Sequence, residues 1–416
     1  MSPPPPGPKA AEAADPGPAP GLWRNRDFNL LWTGQCLSDL GGAMVELALP
    51  LLVLQRTGSP AQAGFVGTAG LVTTLACRLP AGVLADRLDR RRLMIACDVL
   101  RLAGYALLGW AVAAGTATLP VILAVVVTGA AATAVFSTAE HACVRNLVHP
   151  GRLTTAVARN EARSYGVSLA GPPLGGLLFG LGRALPFLGN ALSHLLSLLA
   201  VSLIRRPLQE ARPSAGEAGR VCATQGLRFL LGHPFLRTLL VIAAPLNMAF
   251  TGMIFAMTLA LRRAGVPPYL VGLAGTVFAV GGLLGALAAP VLQRRLRLPV
   301  LIRLLCWATA ALMAVGALLA GTVLAAVPLA AAVFLGPTAN AALFAHQAAV
   351  TPDHLQGRVV GGVLLAAGSA AALAPALAGV LLDRFGPVPA TLVFPVLVTA
   401  AALTATLGKG LRSPAA

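Results

Sequence analysis

Two groups of charged residues stand where charge is costly, and their spacing says what chemistry they can do. Asp39 and Glu46 lie seven residues apart within an apolar stretch at about 29–55. Seven residues are nearly two helical turns, so both carboxyls share one helix face, about 10 Å apart. A carboxylate at the centre of a membrane helix costs roughly 2.5–3.5 kcal/mol. It must face water, meet a partner or hold a proton. Asp39 and Glu46 are therefore the candidates for proton coupling; the plainer alternative is that they cap or pair with neighbouring helices. The second group is the hairpin Gly82–Met94, GVLADRLDRRRLM, a short connection between two apolar runs that carries Asp86, Arg87, Asp89, Arg90, Arg91 and Arg92. Arginine resists translocation, so such a hairpin stays in the cytoplasm. Gly82 lets helices approach closely, and Asp86 can pair with the arginines or with a neighbouring helix end.

Other polar groups sit inside or at the ends of apolar runs. Asp98 and Arg101 are three apart and can pair on one helix face, where a network with the arginine hairpin is expected. Glu140, Arg145, Glu161 and Arg163 fall at helix ends, where such charges most often face the cytoplasm; the alternative is that Glu140, Glu161 and Arg145 make interhelical gate pairs. Gly171-Pro172-Pro173-Leu174-Gly175-Gly176 combines a helix bend with glycines for close packing. Asn190, His194, Asn247, Asn340 and His346 are candidates to line a cavity, although a lone intramembrane histidine more often packs than relays protons. The six cysteines form no CxxC pair, and no HExxH, GxSxG or GxxxxGK[ST] motif occurs. No metal, cofactor or enzymatic chemistry is expected.

The elements that must position these groups are membrane helices. Of the 416 residues 57% are hydrophobic and 11% charged, too apolar for a soluble protein of this size. Twelve apolar segments, at about 29–55, 61–84, 93–114, 118–141, 156–181, 184–204, 237–261, 269–292, 299–320, 322–347, 358–382 and 387–407, approach or exceed the roughly 20 residues that span a bilayer. The expected class is an all-α integral membrane protein of twelve transmembrane helices in two pseudo-symmetric six-helix bundles. The net charge of +17 sits at the ends of apolar runs, which assigns it to topology and argues against a nucleic-acid partner. With the N-terminus inside, inner segments hold 23 Lys and Arg and outer loops hold five, so both termini are expected in the cytoplasm.

The expected organisation is a Pro/Ala-rich disordered tail at 1–25, one bundle at 26–204, a linker at 205–236, a second bundle at 237–408 and a short tail at 409–416. The stretch Gly226–Leu231 in the linker reads as an amphipathic surface helix. Internal matches support two halves: Gly82, Arg91 and Arg92 precede Gly285, Arg294 and Arg295 by 203 positions, and Gly171-Pro172-Pro173-Leu174 echoes Leu373-Ala374-Pro375-Ala376.

With these residues in view, the chain resembles the major facilitator superfamily from about Arg26 to Leu407. The hairpin is similar to that superfamily's loop 2–3 signature, with Asp89 where glycine is commonest. Its DRxDRRR form resembles the siderophore-exporter and macrolide-efflux branch, as do Leu49-Pro50-Leu51-Leu52-Val53, Arg228-Phe229-Leu230 and Leu355-Gln356-Gly357-Arg358-Val359. The resemblance implies that Asp86 latches helix ends together in the outward-facing state. Gly171 to Gly176 resembles the antiporter signature of proton-driven exporters, with Val167 where that pattern opens on glycine. The expected function is a proton-coupled exporter of an amphipathic organic compound, multi-pass in the cell membrane. Its expected partners are a small-molecule substrate, protons and membrane lipid, and it is expected to act as a monomer. Uptake of a nutrient and non-transporting sensing are the alternatives.

Overall fold

Capping residues and prolines set where the helices begin. Asn25 opens α1 (Arg26–Thr57), its side chain accepting from the Phe28 N–H, and Gly58 ends it in the left-handed conformation, φ 69°. Ser59 caps α2 (Pro60–Arg87), where Pro60 occupies the first turn. Asp89 caps α3 (Arg90–Ala113) by accepting from the Arg92 N–H at 2.8 Å. Asp89, one of the two acids in the hairpin, is thus a helix cap. α4 (Leu119–Leu147), α5 (Leu153–Leu181) and α6 (Leu185–Leu203) complete the first half.

A helix of ten residues, α7 (Ala223–Gly232), stands before α8 (Pro234–Arg263) and contains the stretch read as amphipathic; its Leu230 is buried against Gly362. α9 (Pro268–Arg295) and α10 (Leu298–Leu318) follow. The next crossing is broken: a 3-10 turn, Val323–Ala325, leads into α11 (Ala326–Phe334) and then α12 (Gly336–Val350). Pro337 in the first turn of α12 accounts for the break, because it supplies no N–H to the preceding helix. α13 (Gln356–Phe385) and α14 (Pro387–Leu407) close the second half.

The computed structural model describes residues 22–209, 223–352 and 356–407. The Pro/Ala-rich start, the middle of the linker, the last nine residues, Leu355 and the side chains of Arg145, Gln356 and Arg358 lie outside the described residues. Among those described, eleven helical segments are long and apolar enough to cross a membrane. α5 is the twelfth crossing; its glycines, prolines and charged first half dilute its apolar character.

The first half packs α1 on α5 and α6, α3 on α4 and α6, and α2 on α4. The second repeats this with α8 on α13 and α14, α10 on α11 and α14, and α9 on α11 and α12. The halves meet along two seams, α2 with α13 and α5 with α9. Each seam is a proline–glycine contact. Added side-chain carbons at Gly64 and Gly379 would meet the backbone of Pro375 and Pro60, and those at Gly272 and Gly176 the backbone of Pro172 and Pro268. Thr68 accepts from the Ala376 N–H at 2.9 Å, and Thr276 donates to the Leu169 carbonyl at 3.1 Å. Leu169 is the carbonyl that Pro173, four residues on, leaves without its helical partner.

These contacts correct the register of the repeat. Pro60, Gly64, Gly67 and Thr68 recur 208 positions later as Pro268, Gly272, Gly275 and Thr276. The interval of 203 holds for α5 and α13, where Pro172 and Gly176 recur as Pro375 and Gly379. Gly82 therefore corresponds to Pro290 and not to Gly285, and Arg87 corresponds to Arg295. The burial pattern along α1 and α8 follows the same interval of 208.

Both seams lie toward the end of the molecule opposite the arginine hairpin. There Asp383 joins the halves: Ser59 donates to one carboxylate oxygen at 2.9 Å and Arg263 to the other at 3.1 Å.

Candidate functional site

The second half encloses a cavity of about 460 Å³, within the range of small-molecule sites. α8 supplies the largest share of its wall, including Phe235, Leu246, Asn247, Phe250 and Ile254. α9 adds Phe278, α10 adds Ile302 and Leu305, and α12 adds Asn340 and Leu343. α5 reaches across from the first half with Tyr165 and Ser168. The lining is apolar and aromatic and carries no formal charge. Asn247 donates to the Ala243 carbonyl at 2.9 Å, which leaves its amide oxygen to accept from a ligand.

Of the residues proposed for the cavity from sequence, Asn247 and Asn340 line it. His346 stands beside it, edge-on to Phe235 with ring centroids 4.4 Å apart. Asn190 and His194 are buried in the first half, away from this wall.

The interior of the first half is ionic. Arg163 on α5 bridges two acids, 3.0 Å from Asp39 on α1 and 3.1 Å from Glu140 on α4. The Asp39 side chain is 41% exposed, that of Glu140 7%. Two carboxylates share one guanidinium, so the group has room for one further positive charge on its accessible side. Deeper between the helices, Asp98 is fully buried and pairs with Arg101 at 2.6 Å. Ser197 donates to the second Asp98 oxygen at 2.9 Å, His194 lies 3.8 Å from Asp98, and Ser38 is 3.3 Å from the same His194 nitrogen. Arg101 also stacks on Phe136 at 4.5 Å. This network ties α3 to α6 and α1.

The hairpin finds other partners. Arg91 donates to the Ile204 and Arg206 carbonyls, and Arg90 reaches the carbonyls of Ala142 and Leu208 at 3.4 Å. Cations at the end of α6 meet the negative end of its dipole. Asp27 accepts from the backbone N–H groups of Arg205 and Arg206. Asp86 and Arg87 are exposed, and an added carbon at Gly82 meets open space. In the kink motif, side-chain carbons at Gly171 and Gly175 would strike Ala43 and Met44, so these glycines let α5 lie against α1.

Glu46 is exposed, and Gly42, between the two acids, faces open space. In the corrected register Asp39, Gly42 and Glu46 correspond to Asn247, Phe250 and Ile254, all three on the cavity wall. At the interval of 203, Arg163 corresponds to Ala366. Sequence reading found the acids but missed Arg163 as the bridge between them. The signal was there: an arginine about two turns inside the apolar run at 156–181, as costly as the acids it neutralises.

Two six-helix halves joined along two seams, with an apolar cavity facing polar groups of the other half, define a membrane transporter. A profile of the Major Facilitator Superfamily matches residues 31–375, and the chain belongs to that family. It is 31% identical over 374 residues to a protein of Mycobacterium tuberculosis described as multidrug efflux pump Tap, covering 84% of this chain and 85% of the relative. Macrolide efflux protein A of Streptococcus pyogenes is 24% identical over 183 residues, 43% of this chain and 45% of that protein. Among solved structures, a bacterial homologue of the human lysosomal transporter Spinster, inward-facing and unoccupied, matches with a TM-score of 0.76 at 16% identity, covering 95% of this chain and 100% of that one. A bacterial homologue of the iron transporter ferroportin, inward-facing, matches with 0.70 at 16% identity, over 95% and 100%. These likenesses at low identity speak for the fold alone.

Proposed function

We propose that this transporter exports amphipathic organic compounds in exchange for protons, with both termini and the arginine hairpin in the cytoplasm. The observation that carries the reading is the pairing of an uncharged aromatic cavity in one half with Asp39 and Glu46 on the corresponding helix face of the other. Such a lining suits bulky apolar molecules with few polar groups and is poorly suited to sugars, which need many hydrogen-bonding side chains. The names of its relatives, both efflux proteins, support the direction. Residues 26–204 and 237–408 are the two moving units, and each chain encloses its own cavity, so a monomer suffices.

The surplus carboxylate beside Arg163 accepts either a proton or the positive end of a ligand, and the two compete. A proton on Asp39 leaves Arg163 to Glu140 and loosens α1 from α5. α5 also forms a seam, so this local change bears on the contact between the halves. Asp86, exposed in the present conformation, re-pairs when the arginine-rich ends close. The test is proton-driven efflux from membrane vesicles carrying Asp39→Asn or Glu46→Gln. Coupling is expected to fail in at least one; full coupling in both removes these acids from the mechanism.

A further inference from the structure

Between Arg163 and Gly176, α5 meets three different neighbours. Arg163 holds Asp39 of α1 at 3.0 Å and Glu140 of α4 at 3.1 Å. Tyr165 and Ser168 are the first half's share of the cavity wall. Leu169 accepts from Thr276 of α9, and a carbon added at Gly176 would meet the Pro268 backbone. Two residues apart at about 100° per residue, Arg163 and Tyr165 stand on nearly opposite faces of the helix. α5 therefore lies between the ion triad on one side and the cavity and seam on the other. The cavity lining includes neither Asp39, Glu140 nor Arg163, so a ligand held by this wall does not take the place of a proton. Both sides nevertheless depend on where α5 lies. In this structure one position of α5 completes the wall and keeps Asp39 paired.

We propose that Tyr165 and Ser168 are coupling residues: a ligand resting against them favours the position of α5 in which Asp39 is ionised and paired with Arg163. The proton on the Asp39 carboxyl leaves to water through that group's accessible side, and the ligand never touches the carboxylate. The ligand class therefore includes uncharged, apolar aromatic molecules, exchanged for protons as cations are. Such coupling is reciprocal: the proton weakens the ligand by the factor by which the ligand weakens the proton. The inference rests on the reading of Asp39 as a proton site. The charged and titratable groups facing Asp39 are Arg163 from α5, Glu140 and His141 from α4 and Arg101 from α3. Histidine side chains change charge near neutrality, so the test includes His141.

The test uses the full chain in lipid nanodiscs and two fluorescent probes, uncharged Nile red and cationic rhodamine 6G, with empty nanodiscs as the blank. Affinity for each probe is expected to be about 5-fold or more higher at about pH 8 than at about pH 5, the lower end of ordinary coupling. Tyr165→Leu with Ser168→Ala is expected to bring the Nile red ratio close to one, whatever happens to affinity itself. Ser168 is exposed and Tyr165 half-buried, and both border the lumen, so their removal opens no closed void. Asp39→Asn is expected to abolish the ratio for both probes and His141→Gln to preserve it. Weaker binding with an unchanged ratio in the double variant overturns the proposal, because it marks plain wall residues. So does a ratio that survives Asp39→Asn or is lost in His141→Gln. Rhodamine 6G binding that depends on pH while Nile red binding does not, or fails, also overturns it; that result means direct competition at Asp39 and leaves the proton-coupled reading standing. If neither probe binds, or neither depends on pH, the proposed function falls first and this inference with it.

Discussion

The two halves are built on one plan and filled in opposite ways. In the first, Asp39, Glu140 and Arg163 occupy the space around the central face with an ion triad, and Asp98, Arg101 and His194 fill the core behind it. In the second, the corresponding Asn247 and Ala366 carry no charge, and the space is left as a cavity of about 460 Å³. Under the proposed function the difference is a division of labour within a duplicated scaffold: one half is proposed to hold charge that a proton can change, the other to hold a ligand. A charge network in the cavity wall would reject apolar molecules, and an apolar interior opposite would have nothing to titrate.

The comparison breaks most easily at its ionic side. Asp98→Ala leaves Arg101 buried without its carboxylate, and chemical denaturation is expected to show a loss of about 3–5 kcal/mol. Replacing both, as Asp98→Leu with Arg101→Met, is expected to recover most of that loss. A double variant as unstable as the single one would mean the pair does more than neutralise itself. On the apolar side, Phe278→Ala removes one aromatic wall of the cavity. Rhodamine 6G binding is expected to weaken about 10-fold, from the lost ring burial, with the pH dependence of binding unchanged. A change in pH dependence would show that the halves do not divide the work. The smallest effect belongs to the one-sided polar latch at the hairpin-distal end. Ser59→Ala removes one hydrogen bond to Asp383, worth about 1 kcal/mol, and is expected to shift the opening equilibrium about 5-fold in spin-label distance measurements across α2 and α13.

Much of the fold was legible in the sequence because its signals are local. Apolar runs, prolines in first turns and the arginine hairpin each report on their own few residues. The register of the repeat was not, because Gly and Arg are abundant and a match at 203 positions between hairpins outweighed the sparser Pro60-Gly64-Gly67 pattern at 208. Only the backbone contacts at Pro172 and Pro375 distinguish the two. The acids were legible as costly residues, but their partners were not: Asp39 meets Arg163 from α5, 124 residues away. The cavity was least visible, since it depends on which faces of α8, α9, α10 and α12 turn toward one another. Asn247 and Asn340 were found as polar exceptions in apolar runs; the phenylalanines around them were indistinguishable from ordinary core.

Proton release on ligand binding tests the division of labour most directly. In weakly buffered solution with a pH indicator, the wild-type chain is expected to release protons as rhodamine 6G binds, and Asp39→Asn is expected to bind the dye with little release. Undiminished proton release from a chain carrying both Asp39→Asn and Glu46→Gln would contradict the account.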